Sequence, residues 1–174
     1  MTPSQRTLSR LMAFTAVMAL AAPAMAAAPL TPEQTVAAAL KEAPVWDGHN
    51  DVPEQLRDRR KDVLAGFDFH DTVNEPITDK RMLAYFPAGT PTGMQTDLTR
   101  MKQGHIGAQF WSVYVSANLP APQAVQATLE QIDVVKRLVA QYPGELMLAT
   151  SSADVEKAWK AGKVASLIGM EGGH

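Results

Sequence analysis

Three side chains with hard, metal-competent donors stand at the exits of two apolar stretches. They are His49 and Asp51 in Asp47-Gly48-His49-Asn50-Asp51, and Glu171 in Gly169-Met170-Glu171-Gly172-Gly173-His174. Alternate residues of a strand face the same way, so His49 and Asp51 leave one face about 7 Å apart at Cα. An imidazole nitrogen and a carboxylate oxygen so placed can converge on one divalent cation such as zinc. The same pair could instead work as a metal-free acid–base couple, or Asp51 could cap the following helix beside a half-buried His49. Glu171 ends the run Ala165-Ser166-Leu167-Ile168-Gly169-Met170. A carboxylate buried at the end of so apolar a strand needs a cation or strong donors; its bland alternative is an exposed strand-end glutamate. Beside His49 and Asp51 it is a candidate bridge between two metal ions, with Gly172 and Gly173 permitting a sharp turn after it.

The remaining polar candidates rank lower. His174 reads as a group that orients a ligand, or as a loop histidine, ahead of a ligand itself. His70 and His105 read as background, Asp47, Asn50 and Gln109 as structural hydrogen-bonders, and Trp46, Trp111 and Trp159 as core or packing residues. No catalytic residue beyond the metal set is assigned.

The elements that must position these groups follow from periodicity and punctuation. Thr31 caps a helix to Ala43 that Pro44 ends. Val45–His49 is a strand closed by Pro53, and Glu54–Leu64 is a charged helix. Residues 66–93, rich in Gly, Pro and Asn, form a long surface excursion of the kind that borders sites. Asp97–Gln103 is a short helix stopped by Gly104, and Ile106–Val115 is a strand apolar on both faces. A helix from Pro122 to Tyr142 presents Val125, Leu129, Ile132, Val135, Val139 and Tyr142 on one face. After the apolar Leu146–Ala149, Ser151 starts a helix to Ala161 with Gly162 behind it, and Val164–Met170 is the last strand. This rhythm means parallel βα units in an α/β fold. A doubly wound sheet and a barrel both fit. Polar residues at strand C-termini favour the barrel, and no glycine-rich phosphate loop follows the first strand.

Bulk properties narrow the classes. Arg6 and Arg10 precede an apolar Leu11–Ala22 and a small-x-small Ala24-Met25-Ala26, so residues 1–26 are expected to be a cleavable signal peptide and the mature chain secreted or periplasmic. The apolar run is shorter than the roughly 20 residues a membrane span needs. The formal charge is −2, and losing the two leader arginines takes it to about −4. No basic stripe with interleaved aromatics points to nucleic acid. With no cysteine, disulfides and thiolate ligands are excluded.

Three blocks in register resemble the membrane (renal) dipeptidase family of zinc peptidases, family M19. They are Trp46-Asp47-Gly48-His49-Asn50-Asp51-Val52-Pro53, Gly107–Val115 and Gly162–His174. The resemblance implies a (β/α)8 TIM barrel of the metal-dependent hydrolase type, of which residues 27–174 would be a truncated N-terminal portion. It implies two Zn2+ ions, with His49 and Asp51 on one and Glu171 bridging both. It also implies hydrolysis of dipeptides by a metal-activated hydroxide. Further ligands and a proton-transfer aspartate would lie downstream, and a homodimer is an expectation for the full-length protein only. One departure is Glu54, where mammalian members carry a tryptophan near the substrate; this bears on substrate preference rather than on the metal site. Two alternatives stay open: another metal-dependent amidohydrolase on a similar barrel, and an inactive fragment. About 148 mature residues fall short of the roughly 250 a barrel needs, so this chain alone is expected to be inactive.

Overall fold

The computed structural model describes residues 28–173; the expected signal peptide and His174 lie outside them. Thr31 opens α1 (Pro32–Glu42) with a complete capping box, its hydroxyl accepting from the Gln34 N–H while the Gln34 side chain accepts from the Thr31 N–H. The chain then runs β1 (Val45–Asn50), α2 (Val52–Arg60), a long excursion holding only α3 (Lys80–Leu83), α4 (Leu98–Gln103), β2 (Ile106–Tyr114), α5 (Ala121–Gln141), β3 (Leu146–Leu148), α6 (Ser152–Lys160) and β4 (Val164–Glu171). Helix α2 starts two residues before the expected Glu54. Pro53 sits in its first turn, where a missing N–H costs nothing. Among the described residues no helix is long and apolar enough to cross a membrane.

All four strands are parallel, as the βα rhythm requires, in the order β1-β2-β4-β3. The last strand therefore inserts between the second and third. Right-handed crossovers explain where the helices lie. The steps from β1 to β2 and from β2 to β3 run the same way across the sheet, so α2, α4 and α5 share one face. There Val52, Leu56, Leu98, Met101, Val134, Val135 and Leu138 pack around Trp111 and Val113. The step from β3 back to β4 runs the other way and puts α6 on the opposite face, where Val155 and Ala158 meet Ala108, Ala149 and Ala165. Helix α6 covers only the N-terminal half of that face, leaving the C-terminal half open.

Two expectations are corrected. Helix α5 buries Ala124, Ala127, Gln131, Val134, Val135, Leu138 and Val139, while Val125 and Leu129 are exposed. Its first turns lie against Val115 through the small Ala124 and Ala127, and close approach favours alanine over the larger residues. The excursion at 66–93 is also no mere surface loop, because Phe67, Phe69, Thr72 and Ile77 are buried. The Phe69 ring lies tilted against Trp111 and edge-on to Tyr142, each at 6.1 Å between centroids. Its backbone is satisfied by side chains: the Tyr142 hydroxyl accepts from the Phe69 N–H and donates to the Phe67 carbonyl. Gly93 is obligatory, since a Cβ there would lie 1.8 Å from the Val73 carbonyl oxygen.

Candidate metal centre

Strand β1 carries a phase change that decides which way His49 points. Asp47 pairs with Gln109 and Asn50 with Trp111, so β1 holds one more residue than β2 over this stretch. Simple alternation would put His49, three residues after Trp46, on the opposite face from it. The bulge at Gly48-His49 reverses this. Val45, Asp47 and Asn50 are half-buried, whereas Trp46, Gly48 and His49 are all exposed. His49 thus joins the open face of the sheet, with Trp46 stacked on Phe110 at 6.0 Å. Trp46, expected in the core or in packing, packs by stacking but stays 48% exposed.

Glu171 comes to the same place from β4, with β2 lying between. It is level with Tyr114, yet its carboxylate reaches back along the face to accept from Ser112 Oγ at 2.9 Å. That bond draws it toward β1. His49 Nε2 lies 2.9 Å from Asp51 Oδ1 and 3.7 Å from Glu171 Oε2. One donor atom from each of the three residues lies within 4.8 Å of the others. Asp51 occupies the N-cap position of α2 but makes no side-chain cap bond, so its carboxylate is turned to His49 rather than spent on the helix.

The donor set fits a divalent cation. Two carboxylates converge on a single ring nitrogen, which can give its hydrogen to only one of them; a cation among the three satisfies both. Among the described residues no lysine or arginine ion-pairs with Asp51 or Glu171. Glu54 stands close enough to feel both: burial pushes its carboxyl above the ordinary range, and Asp58, Asp51 and Glu171 push it further against the pull of Arg57. The Glu171 side chain is 48% exposed, so its need for a cation comes from this crowding of negative charge and not from burial, correcting the expectation of a buried carboxylate.

The neighbours hold the centre in shape. The Asp47 carboxylate accepts from the His49 N–H at 3.1 Å. The Asn50 amide oxygen accepts from the Val52 N–H while its nitrogen donates to Thr96 Oγ at 3.0 Å, tying the β1–α2 turn to the end of the excursion. Gln109 donates to the Asp47 and Phe110 carbonyls. These three are the structural hydrogen-bonders expected. Ser112 and Thr96 were not singled out from sequence. Their roles depend on register and on a contact 46 residues apart, and the sequence signal is limited to a serine within a mostly apolar strand. His105, at φ 56 before β2, lies away from the centre at the strands' N-terminal end. His70 bridges Asp68 and Glu145 at that same end.

Residues 33–174 match the family model of membrane dipeptidase (Peptidase family M19). The chain belongs to the membrane dipeptidase family. It is 36% identical to Dipeptidase ataJ of Aspergillus terreus over 78% of this chain and 30% of that protein. It is 37% identical to Dipeptidase 3 of Macaca fascicularis over 79% of this chain and 23% of that protein. The chain thus spans less than a third of the length of these relatives. A crystal structure of a metallopeptidase from Rhodobacter sphaeroides, bound to a phosphinate mimic of the dipeptide L-Ala-D-Ala, superposes with a TM-score of 0.49. It is 21% identical and covers 74% of this chain and 38% of its own.

Proposed function

We propose that this membrane dipeptidase family protein is a zinc dipeptidase with a binuclear centre, in which His49 and Asp51 hold one ion and Glu171 bridges both. The observation that carries this is the convergence of one imidazole and two carboxylates on the open, C-terminal half of a parallel sheet. The bound ions would supply Lewis acidity, lowering the pKa of a shared water and polarising the scissile carbonyl. The chain's own residues do the positioning. The bulge aims His49, Ser112 fixes which way the Glu171 carboxylate leans, and Asn50, between His49 and Asp51, ties the β1–α2 turn to Thr96. Closure into an eight-stranded barrel, a homodimer, and export through the 1–26 leader to a secreted or periplasmic site belong to the same proposal.

The test is metal analysis joined to a dipeptide assay on the native protein. Two zinc ions per chain, with hydrolysis lost on chelation and regained with zinc, are expected. A metal-replete protein that leaves dipeptides intact but cleaves N-acyl amino acids would assign it instead to another amidohydrolase activity.

A further inference from the structure

Beside the centre lies a cavity of about 350 Å³ between the start of α2 and the end of the excursion. His49, Asp51 and Val52 form one side, Phe86 and Met94 another, and Arg59 contributes to its lining. Arg59 is 4% exposed. Its Nε donates to Gln55 Oε1 at 2.8 Å, and its Nη1 donates to the Glu75 carbonyl at 2.8 Å and the Thr92 carbonyl at 2.6 Å. All three acceptors are neutral. The Glu75 carboxylate acts on Arg59 through space, as does Asp58, but is itself ion-paired with Arg60 at 2.7 Å. Among the described residues its hydrogen bonds go to neutral oxygens, and burial lowers its pKa against the pull of the Glu75 and Asp58 carboxylates. Three of its five N–H donors are engaged in these bonds, so a further acceptor such as a carboxylate would be met by the pair on Nη2.

We infer that this cavity is a specificity subsite in which Arg59 takes the side-chain carboxylate of a dipeptide containing aspartate or glutamate. The inference rests on the dipeptidase function proposed above and names a substrate class for it. The cavity borders His49 and Asp51, so a side chain seated there belongs to a substrate whose peptide bond reaches the metal centre. An amide of the same shape would leave the guanidinium without its charge partner, whereas a carboxylate completes it.

The experiment compares kcat/KM of the metal-loaded native protein on Glu-Ala against Gln-Ala and on Ala-Glu against Ala-Gln. The carboxylate substrate should be favoured by at least about tenfold at one of the two positions. The preference should fall to near unity in Arg59→Gln through KM and be partly kept in Arg59→Lys. Ratios near one or favouring glutamine at both positions in the wild type overturn the inference while leaving the dipeptidase function standing, and they decide it even if neither variant folds. A preference that survives intact in Arg59→Gln overturns it as well. No turnover of any of the four, nor of Ala-Ala, overturns both.

Discussion

Two histidines, one at each end of the sheet, are each flanked by two carboxylates, and the difference between them separates a candidate cation site from a proton site. At the C-terminal end, Asp51 and Glu171 both face the same nitrogen of His49, at 2.9 and 3.7 Å. At the N-terminal end, His70 gives each carboxylate its own nitrogen: Nδ1 to Asp68 at 3.1 Å and Nε2 to Glu145 at 2.7 Å. An imidazolium has one N–H on each nitrogen, so a proton satisfies His70 completely and cannot satisfy His49. The surroundings match. His70 lies edge-on to Tyr142, and the Tyr142 hydroxyl is tied to the Phe69 N–H and the Phe67 carbonyl. His49 stands on an open face beside exposed Trp46, with negative charge gathered around it.

The sharpest way to break this comparison is to exchange the acidic partners for amides. Glu171→Gln should lose both ions and reduce dipeptide hydrolysis by at least about 10³-fold, read by metal content and kcat together. Loss of a single ion would deny the bridging role. His49→Gln should lose one ion, whereas His70→Gln should retain the full metal complement. Next in size is Ser112→Ala. Freeing the Glu171 carboxylate to swing should weaken metal affinity by about 10- to 100-fold without unfolding the protein, measured by competition with a chelator.

Smaller effects belong to the scaffold. Asp97, buried at the N-cap of α4, accepts from the Arg100 N–H and guanidinium and from the Thr72 N–H. Burial raises its pKa, but these donors outweigh it and the carboxyl stays below its usual value. Its contribution is therefore present above the unfolded carboxyl range and is lost as pH falls through the lowered folded pKa. Asp97→Ala should cost about 2 kcal/mol in denaturant unfolding near neutral pH, and less in strong acid.

The smallest effect is at His70, whose pKa is raised by the Glu145 hydrogen bond against desolvation, with Asp68 adding to the rise. The sign is opposite to that of Asp97. The stabilisation is complete below the ordinary histidine range and disappears as pH rises through the raised folded pKa. With a half-exposed ring it should amount to less than about 1 kcal/mol. His70→Asn should flatten this part of the stability–pH profile, and an unchanged profile would remove His70 as a proton site.

Much of the scaffold was legible because its signals are local. Thr31 and Gln34, Asp97, and Ser151 with Asp154 mark helix starts by side chains that reach only three residues along the chain. The match of His49 with Asp51 needed only strand alternation over two residues. On α5 the periodicity places Ile132, Val135, Val139 and Tyr142 toward the core as expected, but misses the first turns, where Ala124 and Ala127 take the buried side by their size and Val125 and Leu129 are exposed. The excursion reads as surface because Phe67 and Phe69, though they alternate with Asp68 and His70, stand in a stretch rich in turn formers. Their burial depends on Tyr142, about 75 residues away, supplying the hydrogen bonds that let irregular backbone leave water.

The amino-acid sequence by itself determined the α/β rhythm, which rests on caps and alternation within a few positions, and the family, which rests on three blocks in register, and it offered the three candidate donors. Only the tertiary structure decided that the donors meet. The Gly48-His49 bulge turns His49 onto the open face, and the insertion of β4 beside β2 puts Glu171 within reach of Ser112 and across from β1. A one-residue slip in pairing exchanges the two faces of a strand, and register comes from packing against partners remote in the chain.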